Sequence, residues 1–132
     1  MFNQRFNWSF IFIAFFIWNC TPKESSSLEL APDEQVSYNF HIRPILSDKC
    51  FVCHGPDANK REANLRLDTE EGAYAALKED SNQFVIKPGS TEESTVYHRI
   101  ISKDLGELMP PPESNLALND HEIALIKQWI EQ

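Results

Sequence analysis

The sequence predicts a small all-α domain of about four helices, and three observations predict it. Apolar residues recur at helical spacing in four separate stretches, three of them opened by a capping residue. The extended pieces between them, at 65–68 and 84–86, are short and do not build the βαβ pattern of a parallel sheet. The chain has 132 residues, enough for one domain and not for two. Only about 100 of them remain after an N-terminal leader and linker, a length whose core is modest and gains from a covalently held group.

Residues 1–20 carry Arg5 near the start, then an unbroken apolar run over 10–18, then Asn19 and Cys20. This is the layout of a bacterial export signal, and the apolar run falls short of the roughly 20 residues of a comfortable membrane span. Cys20 stands where a lipoprotein signal places the cysteine that is acylated and becomes the new N-terminus. Ile17, Trp18 and Asn19 depart from the residues usual before such a cysteine, so a plain cleaved signal is the alternative. Residues 21–33 continue as a largely polar tether without apolar periodicity. The folded domain is expected over 34–132.

Over 34–49, Val36, Phe40, Ile45 and Leu46 give a first helix with Phe40 and Ile45 as core candidates. Pro44 interrupts it, so the helix kinks there or a fresh turn starts with Pro44 in its first position. His41 reads as an edge or solvated histidine. The helix runs into Cys50-Phe51-Val52-Cys53-His54-Gly55-Pro56, and 55–64 follows as a polar loop. Leu65-Arg66-Leu67-Asp68 alternates apolar and polar, and both leucines are expected on one inner face. Thr69 caps a second helix over 70–79, with Glu70 and Glu71 complementing its dipole and Ala73, Ala76 and Leu77 buried. The apolar run Phe84-Val85-Ile86 is closed by a turn at Pro88-Gly89. Ser90 and Glu93 make a capping box for a third helix, with Val96, Tyr97, Ile100 and Ile101 inward and His98 and Arg99 directed elsewhere. Asn119 and Glu122 make a second box, with Leu118 stapled to Ile123. Ile123, Ile126, Trp129 and Ile130 then form one face of the last helix. That face is expected against the first helix, with Trp129 near Phe40 or Ile45, and His121 on the surface.

Cys50, Cys53 and His54 make C-x-x-C-H, which reads as a site of covalent haem attachment. Thiols three positions apart on one helical turn can each form a thioether to a vinyl group on the same porphyrin edge. The next residue then has its imidazole beneath the iron, which makes His54 the proximal ligand. One haem c is thus the expected cofactor, and with Cys20 lipidated it leaves none of the three cysteines unassigned. The second informative stretch is Gly106-Glu107-Leu108-Met109-Pro110-Pro111-Pro112. A thioether is a weak, soft ligand that must be held by a stiff loop, and consecutive prolines stiffen this one. Met109, the one methionine besides Met1, is the candidate sixth ligand, with packing as the alternative. A thiol–disulfide pair at Cys50 and Cys53 would leave His54 idle. Structural zinc needs four ligands, and the other histidines lack paired spacing.

The formal net charge is −8, and losing Arg5 with the leader leaves 11 basic against 20 acidic residues. Such a surface speaks against nucleic acid and against adhesion to anionic lipid. It serves solubility, or a docking face for a basic redox partner.

Beyond these local readings, the chain resembles the planctomycete-type cytochrome c domain. The matching stretches are Ile42-Arg43-Pro44-Ile45-Leu46, Cys50-Phe51-Val52-Cys53-His54-Gly55-Pro56, Ala63-Asn64-Leu65-Arg66-Leu67-Asp68, Glu71-Gly72-Ala73, Ile86-Lys87-Pro88-Gly89, Arg99-Ile100, Met109-Pro110-Pro111 and Trp129-Ile130. The resemblance implies a small all-helical cytochrome c fold, with haem on Cys50 and Cys53, His54 proximal and Met109 distal. An iron closed by His and Met suits one-electron transfer between redox partner proteins rather than enzymatic turnover. A haem-based sensor or small-ligand-binding module is the alternative if Met109 leaves the iron. The expected location is periplasmic or at the cell surface, lipid-anchored to a membrane. Such domains usually open longer exported proteins, and the last helix of the family tends to run on through Gly-Ala where this sequence reaches Gln132. A redox domain at the front of a longer protein is therefore a further reading.

Overall fold

A computed structural model describes residues 34–77 and 83–132. Cys20, the leader and the tether lie outside the described residues. Five α-helices follow in order: α1 (Arg43–Lys49), α2 (Phe51–His54), α3 (Glu70–Ala73), α4 (Thr95–Ile100) and α5 (Asp120–Glu131). A π turn at Tyr38–Ile42 precedes α1, and a 3-10 turn at Pro112–Ser114 follows the Met109 loop. Only isolated β-bridges, among them Ala76 with Phe84 and Phe84 with Ser94, occur among the described residues. The expected all-α class stands.

The first expected helix is therefore two pieces, and Pro44 is the reason. Proline has no N–H to give the Phe40 carbonyl, and its ring would collide with that carbonyl in a regular helix. The chain widens instead: Arg43 N–H bonds to Tyr38 O, and α1 begins with Pro44 in its opening turn. Widening changes which residues face inward. Ile42 is fully enclosed and Val36, Ile45 and Leu46 are buried with it, while Phe40 is 82% exposed. Phe40 is thus not a core residue, in contrast to the sequence expectation.

α5 supplies the opposing face with Leu125, Ile126 and Ile130 buried, and it contacts both the π turn and α4. Its capping box is complete: Asn119 Oδ1 accepts from Glu122 N–H at 2.9 Å, and Glu122 Oε2 accepts from Asn119 N–H at 2.8 Å. Trp129 packs on Tyr38, with ring centroids 5.5 Å apart, rather than on the outward-turned Phe40. At its C-terminal end Gln132 receives the Val36 N–H at 2.9 Å and donates to Val36 O at 2.6 Å, which ties the start of the domain to α5.

The middle of the chain is held by main-chain bonds more than by long helices. Thr69 caps α3 as expected, accepting from Gly72 N–H at 3.2 Å. The helix ends at Ala73, because Ile86 N–H and Val85 N–H bond to Ala73 O and Ala75 O and draw the chain into a bridge with the 84–86 run. Ala76 is consequently exposed, against expectation, while Ala73 is buried. Residues 78–82, which the expected second helix would have reached, lie outside the described set.

α4 starts later than Ser90 for a related reason. The carbonyls of Phe84 and Val85 accept from Thr95 N–H (2.9 Å) and Val96 N–H (3.0 Å), satisfying the first donors of a helix that begins at Thr95. Ser90 Oγ accepts from Glu93 N–H, half of the expected box, but Ser90 N–H goes to Lys87 O. The turn is locked by Ser94, fully buried, which accepts from Lys87 N–H at 2.9 Å and donates to Ser90 O at 2.6 Å. Ile100 faces the core, whereas Ile101, just past the last turn, is exposed. His98 and His121 are both exposed, as expected.

Candidate haem site

α2 is a single turn, and its hydrogen bonds fix the motif. Cys50 N–H donates to Leu46 O at 2.8 Å, closing α1. Its own carbonyl accepts from His54 N–H at 2.8 Å and Cys53 N–H at 3.2 Å, opening α2. Cys50, Cys53 and His54 thereby lie within one turn, the spacing that two thioethers and an axial imidazole require. Gly55 ends that turn under a steric constraint. A Cβ at this position would stand 2.2 Å from Phe51 O, so the chain passes α2 too closely for any side chain.

The loop after the motif is laced back onto it. Arg61 Nε and Nη2 donate to the carbonyls of Gly55 (3.0 Å) and Pro56 (2.9 Å). Glu62 N–H reaches Cys53 O and Leu67 N–H reaches His54 O, both at 2.8 Å. Between these two ties, Ala63 and Asn64 adopt φ of 51° and 52°, the left-handed region that side chains other than glycine rarely occupy. The reversal delivers Ala63, Leu65 and Leu67 to one cavity, and Arg66 pairs with Asp68 just behind it.

That cavity, about 350 Å³, is where the expected site residues meet. Cys50, Cys53, His54 and Met109 all line it, although 55 positions separate His54 from Met109. The remaining walls are mostly apolar, with Leu65, Leu67, Leu77, Val85, Val96, Ile100 and Leu116 among them. Pro110 and Pro111 stand beside Met109, and Lys49 and Arg99 supply the cationic side chains. Volume and lining fall within the range of a cofactor site. Met109 is half-buried and anchored by its N–H to Arg99 O at 3.0 Å.

The titration behaviour of these groups fits a haem site better than its rivals. Burial pushes the Cys50 thiol up to about 12, with the neighbouring Cys53 and Glu122 adding to the shift. A redox-active dithiol needs the opposite, a stabilised thiolate. Burial also pushes His54 below its ordinary value, opposed by a smaller effect of the Glu62 backbone. A neutral imidazole is the ligand form. His54 Nδ1 is buried without a hydrogen-bond partner. Among the described residues no three His, Cys, Asp or Glu side chains gather as a metal-binding group. The donor set present, two thiols, one imidazole and one thioether around an apolar space, is the set a c-type haem uses.

Several contributors were not evident beforehand. Arg99, expected to point away from the site, lines the cavity and grips Glu107 on the Met109 loop. Thr95, Ser114 and Leu116 line the cavity without any motif to mark them. The left-handed pair had one weak sequence signal, because asparagine tolerates that conformation, but Ala63 had none. Among the described residues no helix is long and apolar enough to cross a membrane.

No curated protein and no solved structure matches the chain. The family model described as Planctomycete cytochrome C matches residues 50–113, a stretch that opens on Cys50 and closes just after the Met109 loop. The attachment motif, the laced loop and the methionine loop all lie inside the matched segment, so residues 50–113 are similar to the planctomycete cytochrome c family.

Proposed function

We propose that the protein is an exported one-electron carrier holding a single haem c, covalently attached at Cys50 and Cys53, with His54 and Met109 as axial ligands. The observation that carries this reading is that these four side chains line one apolar cavity. Attached haem supplies a one-electron iron couple, and a thioether opposite imidazole raises its potential relative to two imidazoles. The chain's own residues do the rest. α2 presents both thiols from one turn, and His54, kept neutral by burial, presents its imidazole at the cavity wall. Leu65, Leu67, Val85, Val96 and Ile100 keep water from the interior, which lowers the local dielectric and favours the less charged, reduced state. Met109 would hold the iron together with His54 and leave it no open position, which suits relay between redox partner proteins rather than turnover of a substrate. Acylation at Cys20 and the polar tether over 21–33 hold the domain near a membrane, in the periplasm or at the cell surface.

The test is a visible spectrum of the protein produced in a host that matures c-type haem. Colour that survives acid–acetone extraction and depends on Cys50 and Cys53 supports attachment. The oxidised protein should show a thioether-to-iron charge-transfer band that Met109→Ala removes. Its absence from the wild type, or ready binding of carbon monoxide to the reduced protein, sinks the closed-iron reading and favours a sensor. Labelled palmitate incorporated into the wild type and not into Cys20→Ser tests the anchor.

A further inference from the structure

Met109 enters the cavity on a loop attached twice to one residue of α4. The first attachment is the main-chain bond from Met109 N–H to Arg99 O at 3.0 Å. The second is the Arg99 guanidinium, which pairs with the Glu107 carboxylate and reaches the Glu107 carbonyl at 3.4 Å through the same Nη1. Glu107 stands two residues before Met109, so main chain and side chain of Arg99 bracket the turn that presents the thioether. The chain between is folded on Asp104, whose carbonyl accepts from Glu107 N–H (3.0 Å) and Leu108 N–H (2.9 Å) and whose Oδ1 accepts from Gly106 N–H (2.9 Å). Residues 103–107 are all exposed, so little apolar contact fixes them. A weak thioether ligand on such a loop depends on what holds the loop.

We infer that Arg99 is a positioning residue for Met109, acting through Glu107 to set how often the thioether leaves the site. The inference rests on the His54 and Met109 ligation proposed above. The pair is partly exposed, with the Arg99 side chain 39% and the Glu107 side chain 56% accessible. Its effect is accordingly bounded: exposed pairs shift an equilibrium by about fivefold at most. Arg99 tunes the release of Met109, while the main-chain bond and the prolines provide the basic placement.

The experiment uses the haem-loaded full chain and measures imidazole affinity of the oxidised protein at 25 °C, since imidazole must displace Met109 to reach the iron. Glu107→Gln and Arg99→Gln should each tighten imidazole binding about two- to fivefold, the range such a pair permits. Arg99→Lys, which keeps the charge and loses the planar guanidinium that reaches both the carboxylate and the carbonyl oxygen of Glu107, should fall between them and wild type. Because the two side chains act as one unit, the double variant should bind no tighter than the stronger single one. A purely structural role would lower thermal stability without this pattern. Unchanged imidazole affinity in Glu107→Gln, or an effect of Arg99→Gln that Glu107→Gln does not share, overturns the positioning role. Wild type lacking the thioether band overturns the ligation reading instead, and the positioning role with it.

Discussion

Gly55→Ala is the sharpest test of how the attachment turn is held. The new Cβ would lie 2.2 Å from Phe51 O, 2.9 Å from Phe51 Cβ and 3.0 Å from Phe51 C. Real Cβ atoms stay beyond 3.0 Å, so about 0.8 Å of relief must come from the neighbour. The closest atom is a backbone oxygen and no rotamer change moves it, so the first turn of α2 itself has to open. Overpacking costs about 1–3 kcal/mol, and this case belongs near the upper end because the displaced atoms are main chain. For a domain of about 100 residues, a loss of about 2–3 kcal/mol lowers Tm by roughly 10–20 °C. Attachment should fail in proportion, because Cys50, Cys53 and His54 no longer share a turn, and haem staining of the purified chain against total protein reads that directly. The control is Gly89→Ala. Gly89 has φ of 81° with open space around its missing Cβ, so alanine there costs about 1–2 kcal/mol of backbone strain far from the motif. It should lower Tm while leaving haem attachment intact. If Gly55→Ala attaches haem and melts like the wild type, the steric account of the turn is wrong.

The widened turn before Pro44 predicts opposite behaviour at two neighbouring residues: Ile42→Ala should cost about 2–5 kcal/mol in chemical denaturation, while Phe40→Ser changes stability by less than about 0.5 kcal/mol. An equal loss at both positions would return Phe40 to the core. The Arg66 guanidinium beside Asp68 holds its carboxyl below the usual carboxylate range. A depressed folded-state pKa gives stability that is present above the unfolded value of about 3.9 and lost as pH falls through the lower, folded one. The stability difference between wild type and Asp68→Asn should therefore shrink below about pH 4, and a difference that grows on acidification would contradict the pairing.

What the sequence revealed and what it hid divide along a physical line. Capping at Thr69 and Asn119 was legible because a cap is a local event, complete within four residues. The four cavity residues were legible because their chemistry is specific to their type and spacing. Phe40 was misread because its face depends on one extra residue in a turn, forced by a proline four positions later, and helical periodicity has no way to register that insertion. The start of α4 was misplaced because its first N–H groups are satisfied by the carbonyls of Phe84 and Val85, a tertiary arrangement that competes with the local box at Ser90. Arg99 is directed elsewhere in the sequence reading because it lies outside the apolar stripe of Val96, Tyr97, Ile100 and Ile101. In the fold Arg99 lines the cavity and pairs with Glu107, eight residues away across a loop, a contact helical periodicity does not register.

The His54 and Met109 sides of the cavity are assembled at very different ranges along the chain. The His54 side is local: α1 and α2 share Cys50, and Arg61, Glu62 and Leu67 close the loop within about a dozen residues of the motif. The Met109 side depends on α4, on Arg99 and on the 84–86 run that seats α4. Helices of four to seven residues are not stable alone, so α2, α3 and α4 rely on tertiary contacts. Local contacts form ahead of distant ones because they close shorter loops. Attachment should then need the local half alone. Met109→Ala should carry haem at Cys50 and Cys53 in the same yield as the wild type while losing the thioether band, whereas Leu46→Ala, which removes a buried side chain from the helix that abuts the motif, should reduce the yield itself. Loss of attachment in Met109→Ala would mean that both halves must be in place before the thioethers form.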